Sequence, residues 1–159
     1  MASAASMRES VFVRPAWPDE GPLLSALAMK SKAHWGYDDD FMERCRGELA
    51  VTVPRMARTR FRVAEVADEI AGFCALSIDD RDASVESLFV APRFIGAGIG
   101  RILMQDILEY ARRHGIRLVH VEADPHAVDF YEQEGFQLCG EVPSGSIPGR
   151  KLPLLELRF

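Results

Sequence analysis

The chain has 159 residues, 48% of them hydrophobic and 27% charged, a balance that excludes intrinsic disorder and suits one continuous core. Its net charge of −5 excludes a protein whose main task is gripping nucleic-acid backbones, which needs a surplus of Lys and Arg. No window approaches the run of about 18 apolar residues that a membrane span needs.

Residues 1–9 are small and polar, read as a flexible tail rather than a signal peptide, with one domain expected over residues 10–159. Ser10 to Arg14 alternates as a first strand, stopped by Pro15 and Pro18. Asp19 and Glu20 favour a helix start, with Leu23, Leu24, Leu27 and Ala28 at helical spacing. Gly36 breaks that helix, and a second follows from about Asp39 with Phe41, Met42, Cys45 and Leu49 as its apolar face. Asp38-Asp39-Asp40 reads as solvated loop charge. Residues 61–66 and 69–78 read as two strands joined by the tight turn Ala67-Asp68. Residues 84–90 form a further strand, ended by Pro92. The period then changes: Ile99, Ile102, Leu103, Ile107, Tyr110 and Ala111 make a helical stripe closed by Gly115. A strand over 117–123, a helix over about 126–134 and strands over 136–142 and 152–159 complete the chain. Three strands that can pair antiparallel, then a strand-helix-strand crossover that must be parallel, imply a mixed α/β sheet with helices on both faces. The final strand is a candidate for pairing across a homodimer.

Cys45, Cys74 and Cys139 are too widely spaced for a disulfide framework or a zinc site. Cys74, inside Gly72-Phe73-Cys74-Ala75-Leu76, reads as a small core hydrophobe, and a reducing cytoplasm is the natural compartment. His114, His120 and His126 are scattered without metal spacing, so no metal is expected.

Gly96, Gly98 and Gly100 alternate between a strand and a helix entry. Glycine allows positive φ and close approach of a ligand, and a helix's first turn offers unpaired N–H groups and partial positive charge. Together these form an anion cradle suited to a pyrophosphate, with Arg101 placed to add a charge-assisted contact. A plain tight connection is the competing reading. The spacing fits neither a Walker loop, which ends in Gly-Lys-Ser/Thr, nor the Gly-x-Gly-x-x-Gly dinucleotide turn.

Val90-Ala91-Pro92-Arg93-Phe94-Ile95-Gly96-Ala97-Gly98-Ile99-Gly100-Arg101 resembles the acyl-CoA-binding segment of GNAT acetyltransferases, whose core is Gln/Arg-x-x-Gly-x-Gly/Ala. Downstream, Asp124-Pro125-His126-Ala127-Val128-Asp129-Phe130-Tyr131, ending in Glu134-Gly135-Phe136, is similar to the family's Asn-x-x-Ala-x-x-Phe-Tyr…Gly-Phe. Ile95 and Asp124 depart from that pattern, one at a phosphate contact and the other at a cofactor contact. The resemblance implies a single-domain GNAT-like fold in which the strand ending at Val90 splays from its neighbour over 117–123. That splay opens a slot for the pantetheine arm. Leu88, Phe89 and Val90 would pair with the arm through their backbones, and the amides of Gly96, Ala97, Gly98, Ile99, Gly100 and Arg101 would hold the pyrophosphate. The implied activity is acetyl transfer from acetyl-CoA to a primary amine of a small molecule or protein, by direct attack in a ternary complex. A non-catalytic acyl-CoA-binding regulatory module is the alternative.

Such a transfer needs a neutral amine and a proton for the departing thiolate. Tyr131 stands at the family position whose phenol faces the cofactor sulfur, and is the candidate acid. Glu86 is the candidate base. On an alternating strand it shares a face with Ser84 and Leu88, away from Val85, Ser87 and Phe89, just before the splay. Its competing reading is a solvated carboxylate. His34, Trp35 and Tyr37 border the acceptor site of such a fold and are candidates for binding the acceptor; a core plug ending the first helix competes. The turn-rich segment 144–150 places Arg150 where it could meet a substrate carboxylate, or simply forms a surface hairpin.

Overall fold

The apolar runs build a seven-stranded sheet: β1 (Val11–Pro15), β2 (Arg60–Val66), β3 (Glu69–Asp79), β4 (Asp82–Val90), β5 (Leu118–Glu122), β6 (Gln137–Pro143) and β7 (Lys151–Arg158). A computed structural model describes residues 10–159; the tail expected over residues 1–9 lies outside the described residues. Strand order is β1-β2-β3-β4-β5-β7-β6, with β4 and β5 parallel and every other pair antiparallel. The β2–β3 connection is the expected two-residue turn, with Ala67 and Asp68 at φ 49° and 63°, the twist that matches flanking strands.

Helices cover both faces, as expected. On one, α4 (Ile99–Arg113) buries Leu103, Met104, Ile107, Leu108 and Ala111, at i, i+1, i+4, i+5 and i+8, against Ala64, Cys74, Leu76 and Val85. Burial pushes the Cys74 thiol up to about 12, which fits its expected place in the core. The short α5 (Val128–Gln133) joins this side. On the other face, Leu24 and Ala28 of α1 (Gly21–Ala33) meet Phe61, Val63, Phe73, Ala75 and Phe89. Phe73 is fully buried, between Phe61 at 6.1 Å and Phe89 at 5.7 Å. Loss of such a ring costs about 3–5 kcal/mol.

The structure corrects several expectations. The first helix begins at Gly21, because Glu20 is held in a preceding 3-10 turn by Arg14, whose guanidinium donates to both carboxylate oxygens at 2.8 and 2.7 Å. Asp38 is no loop charge: it caps α2 (Asp39–Leu49) by accepting from the Phe41 amide at 2.8 Å. A further helix, α3 (Val53–Arg58), follows, capped by Thr52 with Pro54 in its first turn. The helix expected over 126–134 is a 3-10 turn over Pro125–Ala127 followed by α5. Finally, β7 cannot pair across a dimer, since β5 and β6 occupy both its edges; the outer edge on that side belongs to β6.

Candidate active site

The parallel ladder between β4 and β5 stops early: Asp82 pairs with Leu118, Ala83 with Val119 and Ser84 with His120, and nothing beyond. Past Ser84 the two strands diverge, leaving the β5-facing backbone of residues 85–90 without a strand partner among the described residues. The gap opens into a cavity of about 1290 Å³ that passes between the strands. Its walls come from both sides of the sheet, Gly98, Arg101, Phe130 and Tyr131 on the α4 side and Ser31, Glu48 and Arg55 on the α1 side.

A bulge sets this divergence. Leu76 pairs with Val85 and Ala75 with Ser87, so Glu86 is an extra residue, and bulges strengthen local twist. The alternation expected for this strand therefore breaks. Val85 joins Leu88 and Val90 in the core under α4, whereas Phe89 belongs to the opposite core. Glu86 itself is exposed to the cavity, and its carboxylate accepts from the Thr59 hydroxyl at 3.4 Å. It lies within the splayed segment rather than before it.

At one end of the gap, Gly96 and Gly98 take φ 87° and 82°, and Gly98 caps α4, a conformation that disfavours side chains. The helix's first bond runs from the Ile102 amide to the Gly98 carbonyl at 3.1 Å. The amides of Ile99, Gly100 and Arg101 thus have no intrahelical acceptor. Gly100 has a packing reason as well: a Cβ there would sit 3.4 Å from Phe130 and 3.7 Å from Val90. Ala97 departs from the expected cradle. It is buried in the core, and its amide donates to the Phe94 carbonyl at 3.2 Å. Ile95 is half-exposed on the cavity wall.

Tyr131 is 5% exposed, packed edge-on against Phe130 and Phe136, yet it reaches the cavity wall. No described residue bonds its hydroxyl. Burial raises its pKa above the ordinary phenol range, so the hydroxyl is protonated throughout neutral pH.

Asp124 is a hub at the opposite mouth. Its carboxylate accepts from Lys32 Nζ at 3.1 Å, from the Tyr37 hydroxyl at 2.8 Å and from the His126 amide at 2.9 Å, and it also contacts His126 Nδ1 at 2.8 Å. Arg150 donates to the Tyr37 hydroxyl at 2.8 Å and lies 3.6 Å from Asp124. Burial alone would raise the Asp124 pKa; the His126 amide, the Lys32 charge and the Tyr37 and His126 side chains override it and hold the carboxyl well below the usual range. Tyr37 moves the other way, to about 12, through burial and the Asp124 charge.

The aromatic cluster is not a core plug. Trp35 is 48% exposed and stacks on His126 at 5.1 Å, facing the cavity, while Tyr37 stacks on Phe41 at 4.1 Å. His34 is exposed and, like Tyr37, stands behind the wall rather than on it. Sequence reasoning missed Arg55 and Arg58 of α3, Lys32 and Glu48, all of which face the cavity. Thr52 followed by Pro54 was the available sign of the helix that carries the two arginines.

A family model, the acetyltransferase (GNAT) domain, matches residues 40–144. The chain belongs to this family. Among GNAT proteins it is similar to streptothricin acetyltransferase of Streptomyces lavendulae, with 36% identity over 90 residues, covering 53% of this chain and 48% of that protein. An N-acetyltransferase of Methanocaldococcus jannaschii is 34% identical over 123 residues, covering 70% of this chain and 54% of that one. The chain thus spans about half the length of these curated relatives. The PaiA N-acetyltransferase of Thermoplasma acidophilum, solved in complex with coenzyme A, shares the GNAT fold: TM-score 0.80 at 18% identity, covering 94% of this chain and 99% of that chain. Among the described residues no group of His, Cys, Asp or Glu is arranged to hold a metal, and no helix is long and apolar enough to cross a membrane.

Proposed function

We propose that this GNAT protein transfers an acetyl group from acetyl-CoA to a primary amine of a small molecule or protein, by direct attack in a ternary complex. One observation carries the reading: a single cavity joins the unpaired edge of β4, the open first turn of α4 and the free hydroxyl of Tyr131. In this reading the amides of Gly98, Ile99, Gly100 and Arg101, with that of Gly96, hold the pyrophosphate. The backbones of Leu88, Phe89 and Val90 pair with the pantetheine arm as an added strand. Asp124 acts indirectly, by ordering the acceptor mouth, since its oxygens are already engaged.

The acceptor enters from the α1 side, past Trp35, with His34 and Tyr37 supporting that wall. Glu86 takes the proton of the incoming ammonium. The N–C bond then forms as the C–S bond breaks, Tyr131 gives its proton to the sulfur, and the second proton that the nitrogen sheds on becoming an amide passes to solvent, from which Tyr131 is reprotonated. Burial keeps the Tyr131 hydroxyl protonated at neutral pH, the form that an acid requires. A non-catalytic acyl-CoA-binding role is not favoured, since it leaves a free phenol on the cavity unexplained. We assign the protein to the cytoplasm on its three free cysteines, and any homodimer to the free edge of β6.

The test is incubation with acetyl-CoA and a panel of amines, following free thiol and the mass of the amine. Stoichiometric thiol and N-acetylated amine are expected. Tight coenzyme A binding with no thiol released by any amine would refute the transferase reading.

A further inference from the structure

Arg55 and Arg58 lie one helical turn apart on α3, and both face the cavity. Arg55 is half-buried. Its guanidinium donates to the Ala50 carbonyl at 3.2 Å and to the Ser87 hydroxyl at 2.9 Å, and sits 5.3 Å from the centre of the Phe61 ring. These contacts fix its plane but neutralise none of its charge. Other shielded cations of the molecule are matched. Arg14 pairs with Glu20 and Glu65, Lys32 and Arg150 with Asp124, and Arg60 and Arg62 with Asp106. Among the described residues Arg55 alone is a half-buried cation without an ion pair. Burial lowers its pKa, and the charge of Glu86, felt from beyond ion-pair distance, offsets part of that and outweighs the opposing charge of Arg58. A desolvated cation without an ion pair is stabilised when an anion arrives.

The position of the pair excludes service to the pyrophosphate. Phe61, over whose ring the Arg55 guanidinium lies, belongs to the core on the α1 side of the sheet, whereas the open turn of α4 lies on the opposite side. Glu86 stands next to Ser87 in the chain. The acceptor side of the cavity therefore brings together two carboxylates, Glu86 and Glu48, and two guanidinium groups, none of them in an ion pair among the described residues.

We infer that the acceptor amine carries a compact oxyanion, a carboxylate or a phosphate, which Arg55 and Arg58 bind while the amino group lies against Glu86. The inference rests on the transferase reading for the word acceptor, but the anion subsite can be measured without turnover. A guanidinium fork suits either oxyanion, with bidentate geometry available from the N–H groups that Arg55 has not used.

The test compares matched ligands on the coenzyme A-bound protein by calorimetry: O-phosphoethanolamine against ethanolamine, and tyrosine against tyramine. The anionic member of at least one pair is expected to bind about tenfold or more tightly, the scale of a charge-assisted contact. Preference within the first pair assigns a phosphate, within the second a carboxylate. Arg58→Gln, at an exposed position that folding does not depend on, is expected to remove most of the preference. Arg55→Lys, which keeps the charge but loses the fork, is expected to weaken it. Equal affinities in both pairs, or a preference that survives both substitutions, would overturn the inference. Anion preference without release of thiol from acetyl-CoA would support the subsite and count against the transferase reading alone.

Discussion

Asp124→Asn restores the residue usual in the GNAT motif, yet it is expected to destabilise this protein. The asparagine carbonyl can keep the 2.9 Å bond from the His126 amide, which caps the turn beginning at Pro125. Its amide nitrogen then takes the place of Oδ2, where it meets Lys32 Nζ at 3.1 Å and Arg150 at 3.6 Å, donors facing a donor. Each charge-assisted bond lost is worth about 1.5–3 kcal/mol when shielded. Lys32 and Arg150 keep side-chain exposures of 15% and 18%, so both can turn partly to water, and a net loss of about 2 kcal/mol is expected. For a chain of this size that is about 4–8 °C in Tm. The pH dependence carries the sharper signature. Because the folded carboxyl titrates well below its ordinary value, its stabilisation is present above about pH 4 and is lost as pH falls below that. Asparagine has no such proton. Urea unfolding of both proteins at pH 7, 4 and 2.5 would therefore show a gap that narrows towards acid. A gap under about 0.5 kcal/mol at pH 7, or one constant across the series, would refute the argument that this carboxylate is held by its cationic neighbours.

Gly98→Asp puts a side chain at φ 82° and a negative charge at the open turn; coenzyme A affinity by calorimetry should fall at least about tenfold, and unchanged affinity in a folded variant would displace the cradle. Tyr131→Phe removes one hydroxyl and keeps the ring packing, so kcat should drop about tenfold or more with cofactor affinity nearly intact; an unaltered kcat when chemistry limits the rate would remove Tyr131 from the mechanism. Glu86→Gln should lower kcat/KM near neutral pH, with the loss shrinking as pH nears the pKa of the substrate amine. A defect that stays constant into alkaline pH, with KM raised and kcat kept, would instead make Glu86 a binding group.

The sheet was legible because strands alternate and turns declare themselves: Ala67-Asp68 closes its hairpin where expected, and the three glycines mark the entry of α4. Tyr131 was legible only through its motif. What the sequence concealed was of two kinds. A six-residue helix such as α3 is too short to show a 3.6-residue period, so nothing in the sequence put its two arginines on one face. A bulge leaves no mark on hydrophobic spacing either, and Val85 was assigned to the wrong face because Glu86 was counted as a regular residue. The Asp124 hub joins residues far apart in the chain, from Lys32 to Arg150, and only the fold brings such groups together.

The extra residue in β4 also bears on how the slot between β4 and β5 could be lost by descent. Deleting the codon for Glu86 would set Leu76 opposite Val85 and Ala75 opposite Ser87 without interruption. Leu88, Phe89 and Val90 would keep the faces they now occupy, so both cores would survive. The added twist would be gone, however, and nothing would then turn β4 away from β5 after Ser84. A descendant one residue shorter would be a well-folded protein with a closed sheet and no slot. Loss of the slot without loss of fold is thus a single mutational step away, one that also removes the carboxylate proposed as the base.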